Sequence, residues 1–265
     1  MIGAMEIPSA IFLGLAAIAY GLGLMHAVAF ALSRREDSPA YQWRWPEAVF
    51  SMGLASFFVF TALAAIGKPP GKIDAESLQS SLALYGGLVL FLLGFLVYRN
   101  VPLDQAFGLL PTNLVRLAIA SGAAFVLCLP AIYAAQWLAY SILGADTAPQ
   151  AIVTFLMEHP GMRERLMVFA IAAIAAPITE ELLFRGCLYG FLRQTTGRGV
   201  ALAISSVVFA LIHAHPATMP ALAVFAVGLA LLYEYTGSLW APIAVHSLFN
   251  ALNFFGSLYW PDLVP

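Results

Sequence analysis

Three charges fall within six residues of an otherwise apolar stretch: Glu180, Glu181 and Arg185. Glu181 and Arg185 are four apart with the glutamate first, the order that suits an ion pair along one helix. That pairing leaves Glu180 without a local partner. An unpaired carboxylate in apolar surroundings is a candidate general base. Pro177 lies just upstream and predicts a kink or a fresh helix start, which frees backbone groups near the glutamates. Two further clusters follow. Phe209 and His213 are four apart and share a helix face. His246 and Asn250 repeat that spacing, and Asn253 follows three residues on.

A carboxylate and a histidine can hold one water between them, the carboxylate removing its proton as the oxygen attacks a carbonyl. A second histidine and an asparagine can donate to the oxyanion that forms. Glu180, His213, His246 and Asn250 would then hydrolyse a peptide without a covalent intermediate. Alternatively, Glu180, His213 and His246 could bind Zn²⁺ and leave a position open for water. The HExxH sign of a zincin and the GxSxG of a serine hydrolase are both absent. Residue types alone leave the metal-free and metal-bound routes open. A buried packing cluster, with the paired polar residues as interhelical glue, is the bland alternative.

The elements that position these residues are membrane helices. The chain has 265 residues, 62% of them hydrophobic and only 10% charged, with a net charge of -2. Its mean hydropathy is +0.87. A soluble domain is closer to half apolar and a quarter charged. The composition excludes a soluble enzyme and a disordered chain, and the charge offers no basic surface for nucleic acid. Cys128 and Cys187 sit in apolar stretches and read as buried free thiols.

Apolar runs recur at roughly 9–32, 46–67, 81–98, 117–144, 167–192, 200–215, 217–236 and 238–258, each able to span or nearly span a bilayer. The expected fold is therefore all-α: a polytopic bundle of about eight membrane helices forming a single integral membrane domain over 1–265. Loops between the first and second, third and fourth, and fifth and sixth runs carry Arg34, Arg35, Arg44, Arg99, Arg116, Arg193 and Arg198. The opposite loops carry Lys68, Lys72, Arg163 and Arg165, so the basic excess favours both termini outside. Residues 145–166 form either an interfacial amphipathic helix or a plain loop. His26 reads as a packing residue and Gln136 as helix glue. His215 and Glu234 read as interfacial.

Each charge at bilayer depth costs roughly 2.5–3.5 kcal/mol on insertion scales, so the Glu180 cluster needs a compensating role. Counted from their common membrane side at the helical rise, Glu180, His213, His246 and Asn250 lie about 12–20 Å deep. Ionisable groups converging there imply a water-filled cavity.

In this order and at these separations, Glu180-Glu181-x-x-x-Arg185-Gly186, Phe209-x-x-x-His213 and His246-x-x-x-Asn250 resemble the CPBP (Abi) family of intramembrane proteases. That family includes type II CAAX prenyl endopeptidases and bacteriocin-immunity proteins. The resemblance covers roughly 165–256, which would form the catalytic core, and Phe107-Gly108-Leu109 looks like a short upstream signature. It implies an endopeptidase acting near a membrane-associated substrate, with membrane lipids and a peptide, prenylated or not, as partners. It implies a cavity open to the cytoplasm. Glu180 and His213 would activate water, and His246 and Asn250 would hold the oxyanion. Arg185 would orient the glutamates with Glu181 in support, and Phe209 would shape the pocket. Family members were first labelled metalloproteases, although a glutamate-dependent, metal-free route is better supported for the CAAX enzymes. A non-catalytic scaffold or immunity protein of the same fold, or a proton-coupled transporter, is the competing expectation.

Overall fold

The computed structural model describes Ile18, Gly23 and residues 41–65, 73–111, 113–143, 151–158 and 161–260. The first expected span and His26 lie outside these residues. The described chain is helical, with no strand among the described residues. The helices are α1 (Trp45–Ala65), α2 (Ala75–Tyr98), the short α3 (Leu103–Phe107), α4 (Leu114–Leu143) and α5 (Ala151–Glu158). They continue with α6 (Met162–Thr196), α7 (Arg198–Leu211), α8 (Met219–Thr236) and α9 (Trp240–Tyr259). The chain is an integral, multi-pass helical membrane protein.

Five of the helices, α1, α2, α4, α6 and α8, are long and apolar enough to cross a membrane. Of the seven expected spans that fall among the described residues, the other two are α7 and α9, which fall short of that length or apolarity. α7 has only 14 residues, because the chain turns at Ile212–Ala214. α9 has 20 residues, but His246, Asn250 and Asn253 make it less apolar. α6 is longer than expected at both ends: Gly161 starts it, so Arg163 and Arg165 belong to its first turn. The open question about 145–166 resolves into α5, which buries Phe155 and Leu156 and exposes Met157.

α6 is not a uniform α-helix. It runs in π geometry over Ile171–Ala175 and again over Leu182–Tyr189, with the α-helical turn Ala176–Glu181 between. Pro177 stands at the start of that turn. The wider π turns accommodate a proline that can neither donate nor fit tightly against the preceding turn.

One end of the bundle is tied by polar contacts. Glu47, fully buried, accepts from Arg99 Nε at 2.9 Å and so links α1 to the end of α2. The Gln194 amide pairs with both backbone groups of Trp43, at 2.9 and 2.7 Å. Glu234 gathers Tyr189, Arg193 and Arg198. Arg116 lies over the Tyr235 ring. Of the arginines that the sequence assigns to one side, Arg44, Arg99, Arg116, Arg193 and Arg198 therefore share one end, and Arg34 and Arg35 lie outside the described residues. Glu234 is at that end, as expected. Both cysteines are buried and neither forms a disulfide.

Residues 106–109 form a wedge at the same end. Ala106 O accepts from the Tyr233 hydroxyl, Phe107 O from Leu239 N–H, and Leu109 O from the Trp240 indole. Phe107 is fully buried, and its ring fills the space beside Gly186, where an added Cβ would lie 2.6 Å from Phe107 Cε1. Gly108 has φ +60°, and an added Cβ would overlap the Gly237 carbonyl. The Gly108→Ala variant should lose at least about 1–2 kcal/mol from backbone strain alone, with the overlap adding to it. A thermal melt in detergent would show this as a lowered midpoint; an unchanged midpoint would mean that the wedge does not hold the bundle together.

Candidate active site

The Glu181–Arg185 pair expected from spacing is present, with Arg185 Nη1 donating to Glu181 Oε1 at 2.8 Å. Both side chains are essentially fully buried. Arg185 Nη2 donates to Ala226 O on α8, and the guanidinium sits 4.3 Å from the centre of the Phe209 ring. Glu181 Oε1 also meets His246 Nδ1 at 2.8 Å. A carboxylate only accepts, so His246 Nδ1 carries the hydrogen and Nε2 faces the other way. There it lies 3.9 Å from Glu180 Oε2. Phe209 and Phe225 pack on the His246 ring, with centroids at 5.7 and 5.4 Å.

His213 stands just past the end of α7. Its backbone N–H bonds to Ala210 O, while its ring Nδ1 lies 2.9 Å from Phe209 O. The carbonyl can only accept, so Nδ1 donates and the Nε2 lone pair is left free. The ring takes the place of the backbone donor that the helix end lacks. Ala214, the next residue, is held at φ +52°. This is a left-handed conformation that costs a non-glycine residue roughly 1–2 kcal/mol and sets the direction of the turn after the histidine.

Two cavities meet at His213. The larger, about 240 Å³, is lined by His213, His246 and Asn250, with Gln136 and Asn253 among its other polar groups. The smaller, about 130 Å³, holds Glu180 and His213 beside Tyr85 and an aromatic wall. Glu180 is only slightly exposed, and its Oε2 makes no hydrogen bond to another protein group. The larger cavity extends from His246 toward Tyr140, α5 and Ser257. It therefore opens at the end opposite the Glu47 and Glu234 clusters.

The structure thus brings together Glu180, Glu181, Arg185, Phe209, His213 and His246. Asn250 joins them on the larger cavity with one amide hydrogen already committed, since Nδ2 donates to Ala172 O at 2.8 Å. That carbonyl lies five residues before Pro177. Ala176 N–H bonds to Ile171 O in this π register, so the donor due to Ala172 O would be the N–H that Pro177 lacks. Asn250 supplies it from α9. Gln136 donates from α4 to Ala217 O, in the turn before α8, at 3.2 Å. His215 belongs to the turn after α7. Among the described residues, no group of three or more His, Cys, Asp and Glu side chains is arranged to hold a metal ion. Glu180, His213 and His246 are neighbours without forming such a set.

Sequence reasoning missed Tyr85. α2 begins at Ala75, which puts Tyr85 at mid-helix. No spacing signal links it to residues some hundred positions later.

If Asn250 fills the bond that Pro177 leaves open, the two positions are coupled. Asn250→Ala should cost about 1–3 kcal/mol by stranding a carbonyl. The cost should shrink in a Pro177→Ala background, where a backbone N–H returns. Thermal melts of the four proteins would measure the coupling, and strict additivity would show the two groups to be independent.

Comparison with known proteins places the same stretch of chain in a family context. Residues 162–252 match the family described as type II CAAX prenyl endopeptidase Rce1-like, a stretch that contains Glu180, Glu181, Arg185, Phe209, His213, His246 and Asn250. Among curated proteins, the "Putative membrane peptidase YdiL" of Bacillus subtilis (strain 168) is 26% identical over 206 residues, covering 76% of this chain and 81% of the relative. No solved structure matches. The family match across the whole motif set and the relative spanning most of the chain together support its place in the CPBP family.

Proposed function

We propose that this protein is an intramembrane endopeptidase that cleaves a peptide bond near a membrane-associated substrate, of the CAAX type if prenylated. The observation that carries the reading is the meeting of Glu180 Oε2 and His246 Nε2 at 3.9 Å, with His213 at the junction of both cavities. A water held by Glu180 and by the free His213 Nε2 attacks the peptide carbonyl carbon. Its proton passes to Glu180 as the C–O bond forms. His246, oriented through Nδ1 by Glu181, presents its Nε2 edge to the oxyanion. The second amide hydrogen of Asn250 adds a donor. Collapse breaks the C–N bond, and Glu180 returns the proton to the leaving nitrogen. No step passes through a metal.

Purified protein would be incubated with peptides carrying or lacking a C-terminal prenyl-cysteine. Glu180→Gln should lower kcat by about a hundred- to ten-thousand-fold. His246→Ala should cost at least about a hundredfold. A chelator should leave the wild type unchanged, whereas loss restored by Zn²⁺ would replace this route with the metal-bound one. Wild type that cleaves nothing, while Glu180→Gln retains the biological effect in cells, would overturn the proposal in favour of a non-catalytic scaffold.

Sidedness is testable in the same preparation. The resemblance turns the cavity toward the cytoplasm, but the cavity opens away from the end bearing Arg99, Arg193 and Arg198. One orientation cannot satisfy both that expectation and the positive-inside tendency. Val153 lines the cavity and Val200 is exposed near the opposite end. With the native thiols buried, a Val153→Cys probe should label from the same side as a reporter fused after α9. A Val200→Cys probe should label from the other side. Labelling of both from one side would contradict the antiparallel arrangement.

A further inference from the structure

The cavity of about 130 Å³ beside Glu180 is where the hydrolytic steps place their water, and its polar side chains divide sharply into acceptors and donors. Glu180 Oε2 bonds to no other protein group and can only accept while ionised. His213 Nδ1 is committed to Phe209 O, so its Nε2 also accepts. The Thr179 hydroxyl gives its hydrogen to Ala175 O at 2.8 Å and keeps only lone pairs for the cavity. The remaining polar group is the hydroxyl of Tyr85, from α2. Among the described side chains that line this space, Tyr85 is therefore the one whose donor is not already given away.

The packing of α2 on α6 explains how a distant residue comes to be there. α2 lies against α6 from its first turn through Ala176–Glu181, which brings Tyr85, at mid-helix, to the same cavity as Glu180. The two are close enough for the carboxylate charge to act on the hydroxyl. A water between Glu180 and His213 donates one hydrogen to each and keeps two lone pairs. One lone pair attacks the carbonyl carbon. The other calls for a donor, since a well-held water has two to four polar partners. The space has room for several waters at roughly 30 Å³ each, so two acceptors alone would not fix one oxygen in it. Phe184 is fully buried and meets the Phe209 ring edge-on at 5.4 Å, a carbon wall that offers water no other partner.

We propose that Tyr85 is a catalytic residue whose hydroxyl donates to the attacking water and turns its other lone pair toward the larger cavity. This inference rests on the hydrolytic reading of Glu180 and His213. The tyrosine keeps its proton throughout. Its hydrogen bond stays on the same oxygen as that oxygen joins the carbonyl carbon, while the water's proton goes to Glu180. Three elements then converge on one atom: α2 gives the donor, α6 the base, and the turn after α7 the second acceptor.

Tyr85→Phe removes one oxygen and keeps the ring, so its thermal midpoint should match wild type. With the peptides above, its kcat should fall by about ten- to a hundredfold while KM stays within about twofold. The loss should vanish in a Glu180→Gln background, because residues that hold one water act as a unit. A tyrosine that only packs would instead add its effect to that of Glu180→Gln, and such additivity would remove it from the reaction. An inactive Glu180→Gln beside a Tyr85→Phe within about twofold of wild type would overturn the role of Tyr85 alone. Both variants cleaving like wild type would take the hydrolytic reading down with it.

A second measurement does not need turnover. A prenyl-cysteine peptide with a ketone in place of the cleaved amide hydrates to a gem-diol, and one of its hydroxyls takes the position of the attacking oxygen. The same peptide with a methylene there has no such oxygen. Wild type should bind the ketone more tightly than the methylene analogue, and Tyr85→Phe should cut that preference by about two- to tenfold. The methylene analogue should bind both proteins alike. An equal preference in the two proteins, or none in either, would overturn the proposal.

Discussion

The site depends on one carboxylate. Glu181 lies fully inside the protein and is held by Arg185 from its own helix and His246 from α9. An uncompensated charge there would be untenable, since removing one partner of a buried pair typically costs about 3–5 kcal/mol. Both partners converge on Oε1, while the buried Oε2 bonds to no other protein group. Arg185 also reaches Ala226 O and stacks on Phe209, an interaction worth about 2 kcal/mol when desolvated. The same contacts draw α6, α7, α8 and α9 to one point. The element that makes the charges tolerable in a membrane is thus also the element that registers four helices against one another.

That registration needs a second support, at the end of the bundle. Phe107 fills the groove that Gly186 leaves open one residue after Arg185. The carbonyls around it catch Tyr233, Leu239 and Trp240, which lie at the junction of α8 and α9. A side chain at position 186 would push Phe107 away, and with it the start of α9. The position of His246, two turns into α9, is therefore coupled to a short segment more than a hundred residues earlier. This gives a physical content to the Phe107-Gly108-Leu109 signature: it wedges the two halves of the site together.

Much of this is legible in the sequence because buried charge in a membrane is rare and its partners obey helical spacing. Glu181–Arg185 and the shared faces of Phe209–His213 and His246–Asn250 follow from four-residue offsets alone. The bond from His246 to Glu181 does not, since it depends on how α6 and α9 are rotated. Asn250 shows the limit most clearly. Its residue type suggests an oxyanion donor, but one of its hydrogens belongs to Ala172 O, a carbonyl that becomes needy only because a π turn meets Pro177. Pro177 was readable as a source of freed backbone groups; which group, and who answers it, required the helix register. α7 was read as a full span because apolar content does not show where a turn such as Ile212–Ala214 cuts a helix short.

The order of the two glutamates carries a final consequence. Neighbours on an α-helix are separated by about 100° of rotation, so Glu180 and Glu181 cannot face the same partner set. Glu181 turns inward to Arg185, and Glu180 turns toward the small cavity lined by Phe58 and Tyr85. His246 lies where it can address both, because imidazole nitrogens point in divergent directions. Nδ1 is fixed by Glu181 at 2.8 Å, which leaves Nε2 aimed at Glu180 across 3.9 Å. One ring is thereby oriented by the structural carboxylate and presented to the other. The α-helical turn Ala176–Glu181 sits between two π segments. The wider turns set its rotation, so they decide which glutamate is enclosed and which faces the cavity.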